Sequence, residues 1–173
     1  MAIIATPGAS DANSYVTLAE ANAYHDVRLH NALWTAADDP TKEKALIWST
    51  ETLDANMNWK ERRSEQTQAL QWPRQGVHDR DGFLIDSDVV PVQVKKAQSV
   101  LAFLSIKSDV TLNADSKSPG ASKVKVSSLS VDLDLKNLPG ILSAAVVSLV
   151  QHLGTFSGVG ANQVSKTVTL VRS

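Results

Sequence analysis

The polar residues that could do chemistry crowd into one run of the chain, from Trp72 to Gly82. Four aspartates in and just after this run invite comparison with a calcium-binding loop: Asp79, Asp81, Asp86 and Asp88. Their spacing does not match the ligand pattern of an EF-hand, and no acidic residue stands at its twelfth position. Asp81-Gly82 instead favours a tight turn, because glycine supplies the positive φ angles that such turns need. The run therefore predicts a rigid hairpin anchored by Trp72, with Arg74 and Arg80 free to contact a neighbouring molecule.

The remaining candidate groups do not form a catalytic or metal-binding motif. The four histidines are scattered, and the two nearest, His25 and His30, are spaced to lie off one helical face. The absence of cysteine excludes thiolate ligands and a thiol nucleophile, and no Gly-x-Ser-x-Gly elbow or phosphate-binding loop is present. We therefore predict a protein that is not an enzyme and binds no cofactor or metal. An enzyme using Asp79 and Asp81 with a divalent ion is the weaker alternative.

Cationic and aromatic residues lie close together from residue 59 onwards: Trp59, Lys60, Arg62, Arg63, Trp72, Arg74 and Arg80. This combination is typical of single-strand-binding surfaces, where bases stack on aromatic rings and cations follow the phosphates. In that interpretation Lys60, Arg62 and Arg63 contact nucleic acid. Glu61 and Glu65 interrupt the cationic run, and the net charge of the chain is −1. Both facts favour the competing interpretation, a solvated charged loop.

Length and composition favour a single soluble domain. A chain of 173 residues can bury an ordinary hydrophobic core without disulfides or metals. The near-zero net charge provides no basic field that would attract nucleic acid or an anionic membrane. No apolar run approaches the roughly 20 residues of a membrane span, and the N-terminus lacks the basic region of a signal peptide. We expect one domain over residues 1–173 with no membrane contact.

Hydrophobic periodicity predicts four helices, so the expected fold class is mainly α. The first helix begins at Thr17-x-x-Glu20, which has the residues of a capping box, and runs to about His30. Trp34 follows in a short connection. The second helix has Asp39 as its N-cap and Pro40 at the first helical position, and it ends near residue 58.

The third and fourth helices follow the predicted hairpin. Asp88 is the expected cap of the third helix, and Pro91 stands in its first turn. The fourth helix is expected from about Pro139 to just before Gly154, and it is apolar around much of its circumference. Such a helix either lies at the centre of the core or touches another subunit.

The C-terminal third changes in composition. Residues 113–122 have the small, Pro- and Gly-containing composition of a loop. Residues 123–126 and 129–135 alternate with the period of half-buried strands, and the phase change between them predicts a bulge or tight turn at Ser127-Ser128. We expect a small β region at about 123–135, within a helical core of about 15–155. An extended arm at about 158–173 is suited to adding a strand to another protein.

Several stretches resemble one protein family. They are Ser14-Tyr15-Val16-Thr17-Leu18-Ala19-Glu20-Ala21-Asn22-Ala23-Tyr24, then Trp34, Lys44-Ala45-Leu46-Ile47 with Leu53-Asp54, Gln68-Ala69-Leu70-Gln71-Trp72-Pro73-Arg74-x-Gly76-Val77-x-Asp79-Arg80-Asp81-Gly82, and Val90-Pro91-x-x-Val94-Lys95-x-Ala97. In content and order they are similar to the head–tail adaptor, or connector, proteins of tailed phages. Members of that family are often labelled DnaT-like single-stranded DNA-binding proteins. The resemblance covers roughly residues 14–107, and the C-terminal third is similar in outline.

The resemblance implies a four-helix adaptor core that forms a homo-oligomeric ring, commonly dodecameric, beneath the portal of a filled capsid. Such a ring extends the DNA channel, lets genomic DNA pass without sequence-specific binding, and offers a platform for a stopper or tail-completion protein. The implied location is the neck of the virion, after synthesis in the host bacterial cytoplasm. The rival, which the family label suggests, is a single-stranded DNA-binding replication accessory protein.

Two sets of residues are the expected contacts of this adaptor. Contacts with other subunits or partners are expected from the hairpin run and the fourth helix, through Trp72, Arg74, Arg80, Leu142, Val146 and Leu149. Docking on the portal is expected from the C-terminal arm, through Val164, Lys166, Val168, Leu170, Val171 and Arg172.

Overall fold

The computed structural model describes residues 2–107, 124–126, 129–131 and 142–156, and this part of the chain is mainly helical, as predicted. Its helices are α1 (Leu18–Asp26), α2 (Ala32–Ala36), α3 (Asp39–Asn56), α4 (Val92–Lys107) and α5 (Ala144–Val150). Its strands are β1 (Met57–Trp59), β2 (Arg62–Arg63), β3 (Arg74–Gln75), β4 (Val124–Val126), β5 (Leu129–Val131) and β6 (Gly154–Phe156). The predicted C-terminal arm, with its portal-docking residues 164–172, lies outside the described residues.

The first helix begins as the sequence predicts. The Thr17 hydroxyl accepts a hydrogen bond from Glu20 N at 3.1 Å, and the Glu20 carboxylate accepts one from Thr17 N at 2.8 Å. These two bonds complete the capping box. The end of the helix was predicted too late, since α1 stops at Asp26 rather than near His30. Trp34, expected in a connection, lies in the short helix α2 with its ring buried.

The starts of α3 and α4 differ from the predicted positions. Asp38, not Asp39, is the N-cap of α3, so Pro40 occupies the second helical position. Helix α4 begins directly after Pro91, whose carbonyl accepts a hydrogen bond from Lys95 N at 3.2 Å. The prediction that Asp88 caps this helix is therefore wrong. Proline at residue 91 disfavours a helical conformation at the residue before it, which delays the helix start.

The predicted fourth helix is α5, which begins at Ala144 behind the N-cap Ser143 and packs on α4. Leu142 and Val146 are buried in the main hydrophobic core, and Leu149 packs partly against it. The expectation that Leu142 and Val146 contact another subunit is thus corrected, because the chain's own helices already cover them. Val146 and Val150 face the core, whereas Ala144, Ala145 and Ser148 are exposed, so α5 buries one face and does not lie at the centre of the core.

Three antiparallel strand pairs complete the described part of the chain. Strand β1 pairs with β6 and places Gly154 opposite Trp59. A Cβ atom on Gly154 would lie 2.6 Å from the backbone oxygen of Asn58, so the pairing requires glycine there. Strand β2 pairs with β3. Strand β4 pairs with β5 within one chain, Val126 opposite Leu129, in the predicted small β region.

One buried glutamine ties the N-terminal segment to two helices. The Gln98 side chain lies on α4, where α4 packs against α3. Its Oε1 accepts a hydrogen bond from Tyr15 N at 3.0 Å, and its Nε2 donates to Ser14 Oγ at 2.7 Å and to Leu46 O at 3.0 Å. This amide therefore fixes the segment before α1 against the helices that carry the core.

Candidate functional site

The run of polar residues after Trp72 ends in a hairpin, as predicted. His78 and Leu84 form an antiparallel bridge, and Asp79 N donates to Phe83 O at 2.9 Å. The Asp79 carboxylate accepts hydrogen bonds from Asp81 N and Phe83 N, each at 2.9 Å. Gly82 has a φ angle of +86°, which the turn requires. Asp79 is therefore the aspartate of this segment whose carboxylate stabilises the turn.

Trp72 and Arg74 anchor the hairpin from inside the protein. Trp72 is 1 % exposed and meets the ring of Trp59 edge to face, with ring centroids 5.6 Å apart. Arg74 is 6 % exposed, and its guanidinium donates to three backbone carbonyls, those of Lys60 at 2.7 Å, Gln71 at 3.0 Å and Glu61. The anchoring role predicted for Trp72 is confirmed. The expected contact of Trp72 and Arg74 with a neighbouring molecule is wrong, because both side chains are buried in their own chain.

Arg80 is exposed, yet its guanidinium is engaged within the same chain. It donates to Ser148 O at 2.7 Å and to His152 Nδ1 at 3.3 Å, which ties the hairpin to α5 and the turn after it. Desolvation, followed by the positive charge of Arg80, lowers the pKa of His152. A neutral imidazole can accept the Arg80 hydrogen bond. Arg80 thus fixes the hairpin's position, and a contact with another molecule stays a prediction.

A half-buried carboxylate, Asp54 on α3, joins three parts of the fold. It accepts hydrogen bonds from the Tyr15 hydroxyl at 2.6 Å, from Trp59 Nε1 at 3.1 Å and from Gln71 N at 3.2 Å. Desolvation raises the pKa of Asp54 against the opposing effect of these donors, and burial likewise raises the pKa of Tyr15. These contacts are internal and structural. From the sequence, Asp54 was named only within the family resemblance and was given no role, and a carboxylate next to the apolar Leu53 was the available signal.

The cationic segment 60–63 provides the exposed positive charges of a single-strand-binding surface but not its stacking rings. Lys60, Arg62 and Arg63 are exposed, as that interpretation requires. Arg62 donates to a glutamine on the paired strand β3 at 2.9 Å, and Arg63 donates to a loop carbonyl at 3.0 Å. Trp59 and Trp72 are both buried, so neither offers a ring face on which a base could stack. The predicted combination of cations with stacking rings is therefore not present at this surface.

The most exposed large apolar side chains of the described residues lie at two places that sequence reasoning did not single out. The hairpin tip carries Phe83 and Leu84, which are 71 % and 63 % exposed. The turn between α1 and α2 carries Val27 and Leu29, which are 84 % and 95 % exposed. Adjacent exposed apolar residues mark interaction surfaces, whereas single ones are ordinary. Val27 lies on the helix face opposite Leu18, which was an available signal, whereas Leu29 shares the face of Leu18 and His25 and is exposed because α1 ends at Asp26.

The α1–α2 turn borders an open groove of about 570 Å³ that α4 completes with Val100 and Phe103. Buried His25 forms part of its wall and packs against Trp34, with ring centroids 4.3 Å apart and ring planes tilted by 31°. Its Nε2 lies 3.1 Å from the Ser99 carbonyl oxygen. Desolvation lowers the pKa of His25, so the ring contributes an uncharged surface near neutral pH.

The described residues contain neither a metal-binding cluster nor a membrane-spanning helix. No three His, Asp or Glu side chains there approach one another in an arrangement that could hold a metal ion. No helix among them is both long and apolar enough to cross a membrane.

Comparison with known protein families gives a match over nearly the whole chain. The family model described as "Putative DnaT-like ssDNA binding protein" matches residues 1–172, well beyond the stretch 14–107 that carried the resemblance. No curated protein and no solved structure matches the chain. Because the family model covers nearly the whole sequence, the chain belongs to the family of putative DnaT-like ssDNA binding proteins.

Proposed function

We propose that this protein is a structural head–tail adaptor of a tailed phage. It forms a homo-oligomeric ring below the portal, extends the DNA channel and provides the docking platform for a stopper or tail-completion protein. The phage setting is supported by the resemblance of residues 14–107 to head–tail adaptors. The structural role is supported by the exposure of adjacent apolar side chains at Phe83-Leu84 and at Val27 and Leu29. A chain that assembles with copies of itself and with other proteins needs such surfaces.

The charges and the buried polar groups agree with this proposal. The buried or half-buried polar side chains described above, Asp54, Arg74 and Gln98, bond to their own chain and hold the fold together. The net charge of −1 suits a channel through which DNA must slide, because many phosphate contacts would hold the DNA in place.

The test is to mix the full chain with the cognate portal ring and to measure the mass of the complex by light scattering after size exclusion. We expect a discrete complex with several copies of the chain per portal ring, and no complex with a portal from an unrelated phage. A chain that elutes separately from its cognate portal at micromolar concentrations would contradict the adaptor role. The same measurement gives the stoichiometry of the ring.

The predicted arm is tested by deleting residues 161–173. In the proposed function this truncation removes portal binding and DNA retention in particles, while the shortened chain keeps its melting temperature. Unchanged portal binding by the truncated chain would refute docking through the arm and leave the adaptor role to the remaining surface.

The second candidate function is single-stranded DNA binding. It is favoured by the family description and by the adjacent exposed side chains Arg62 and Arg63. It predicts that an oligothymidine binds at low salt, that affinity falls with added salt, and that Arg62→Ala with Arg63→Ala weakens it. The adaptor proposal predicts no such affinity beyond weak non-specific attraction. Tight, salt-sensitive binding that the double variant loses would favour the replication protein.

A further inference from the structure

Resting on the proposed function, we propose that neighbouring copies in the ring join head to tail through the two exposed apolar surfaces. The hairpin tip of one copy, Phe83 and Leu84, seats in the groove of the next copy beside Val27 and Leu29. The occupant of the groove is thus a second copy of this chain. This contact deepens the proposed function by naming the residues that close the ring.

The hairpin tip has the properties of an inserting element. Phe83 and Leu84 stand next to each other with most of their surface in solvent. The tip is held in place from two sides, by the Asp79 carboxylate across the turn and by Arg80 on Ser148 O. An inserting group that is already fixed loses little conformational freedom on binding.

The groove has an apolar lining that suits such an occupant. It is open, has a volume of about 570 Å³, and presents apolar atoms from the α1–α2 turn and from α4. Val27 and Leu29 stand at its border, 84 % and 95 % exposed, while Val100 and Phe103 are half-buried. Covering exposed apolar side chains is the main favourable contribution to association.

The charges around the two surfaces are of opposite sign. Residues 79–88 carry four aspartates and one arginine, and Asp81, Asp86 and Asp88 are exposed. On α4, Lys96 and Lys107 are exposed and lie four residues before Val100 and four residues after Phe103. That spacing keeps both lysines near the groove-lining face. Arg28 lines the groove itself, with Asp26 as the opposing charge on the same turn.

This distribution favours a contact between unlike surfaces. The exposed cations at the groove, Arg28, Lys96 and Lys107, outnumber the exposed carboxylates Glu20 and Asp26, and Glu20 is already paired with Lys95. The hairpin tip is predominantly acidic, so the two surfaces attract each other and each repels its own kind. Because the surfaces share no residue, the contact is heterologous, and repeated heterologous contacts close into a ring when the rotation permits.

Cysteine cross-linking tests the contact directly, because the chain has no cysteine of its own. The variant Leu29→Cys with Phe83→Cys is assembled on the cognate portal ring and oxidised. We expect a ladder of covalent oligomers on a non-reducing gel, since a disulfide forms where Cα atoms come within roughly 7 Å. Each single variant should remain uncross-linked. The matched pair Glu51→Cys with Phe83→Cys should also remain so, because Glu51 is exposed on α3 and does not line the groove.

A second variant measures the energetic importance of the tip. Phe83→Ser should raise the concentration needed for half-maximal ring assembly by at least about 30-fold, as expected when a central interface side chain is lost. Its melting temperature should stay unchanged, because Phe83 is exposed in the single chain. Glu51→Ser serves as the exposed control and should alter neither quantity.

The outcomes separate this inference from the proposed function. Rings of the expected mass without a Leu29→Cys/Phe83→Cys ladder would overturn the inference and leave the adaptor role intact. Cross-linking of the Phe83→Cys variant with itself would overturn it in favour of a two-fold contact. A Phe83→Ser variant that assembles normally but loses a stopper protein would overturn it in favour of that partner. If the wild-type chain forms no ring on its portal, both proposals fail.

Discussion

Replacement of Gln98 by leucine tests whether a buried amide holds the N-terminal segment onto the helices. The Gln98 side chain makes three hydrogen bonds, with Tyr15 N, Ser14 Oγ and Leu46 O, at 2.7 to 3.0 Å. It has no solvent exposure, so water cannot take over these bonds after the substitution. Leucine is similar in size and leaves no large cavity, which isolates the loss of hydrogen bonding from the loss of packing.

The magnitude follows from which partners are left unpaired. Leu46 O still accepts from two hydroxyls of α3, and Ser14 Oγ still donates to Val16 O. Tyr15 N, in contrast, loses the one side-chain acceptor that it has in the structure, inside a buried segment. A buried N–H without an acceptor costs about 1–3 kcal/mol, and the two other lost bonds add about 1 kcal/mol. We therefore expect Gln98→Leu to lower the free energy of unfolding by about 2–4 kcal/mol.

Urea unfolding followed by tryptophan fluorescence measures this change, and a thermal scan should show a fall in Tm of roughly 4–16 °C for a domain of this size. The matched control is Gln93→Leu, the same substitution at a half-exposed position of α4. The control should stay within about 0.5 kcal/mol of the wild type. If both variants lose the same free energy, or if Gln98→Leu loses less than about 1 kcal/mol, the reasoning from the unpaired N–H is refuted.

Three further substitutions test other parts of the structure. Gly154→Ala should destabilise the protein by about 1–3 kcal/mol in urea unfolding, because its Cβ would lie 2.6 Å from a β1 carbonyl oxygen, whereas Thr155→Ala on the exposed face should not. Arg74→Lys should lower the free energy of unfolding by about 2–4 kcal/mol, because one ammonium cannot reach all of the carbonyls that the guanidinium binds; the exposed Arg62→Lys should change it by less than about 0.5 kcal/mol. His25 has a pKa below its ordinary value of 6.5 because burial disfavours the charged ring. The unfolded chain therefore takes up a proton before the native chain does, and stability falls as the pH drops below about 6.5. His25→Phe should remove this part of the acid sensitivity, which unfolding curves at about pH 7.5 and about pH 5.5 would detect; an unchanged difference between the two pH values would contradict it.

The burial of Trp59, Trp72 and Arg74 argues against single-stranded DNA binding at this surface. From the sequence alone these residues could have formed a stacking and cation surface for nucleic acid. In the fold they hold β1, β2, β3 and the hairpin together, and they are not available to a ligand. The most exposed large apolar groups of the described residues lie at the hairpin tip and the α1–α2 turn, where a protein partner could cover them.

Features governed by neighbouring residues were predictable from the sequence. The capping box at Thr17 and the Gly82 turn depend on hydrogen bonds and backbone angles within a few residues, so their signals are local. The spacing of apolar residues also predicted the positions of α3 and α4 to within a few residues. Errors arose at helix ends, for instance at Asp26 and Asp88, where small differences in capping and in proline placement decide the boundary.

The sequence by itself determined that the chain is mainly helical, carries a hairpin after Trp72 and has no histidine, cysteine or serine motif of a familiar catalytic site. The tertiary structure alone decided which of its polar and apolar groups face solvent. Arg74 and Asp54 became internal because carbonyls and donors from distant segments converge on them, whereas Phe83 and Leu29 were left outside because no element of the described chain covers them. Burial depends on contacts between segments far apart in the sequence, and local periodicity does not contain that information.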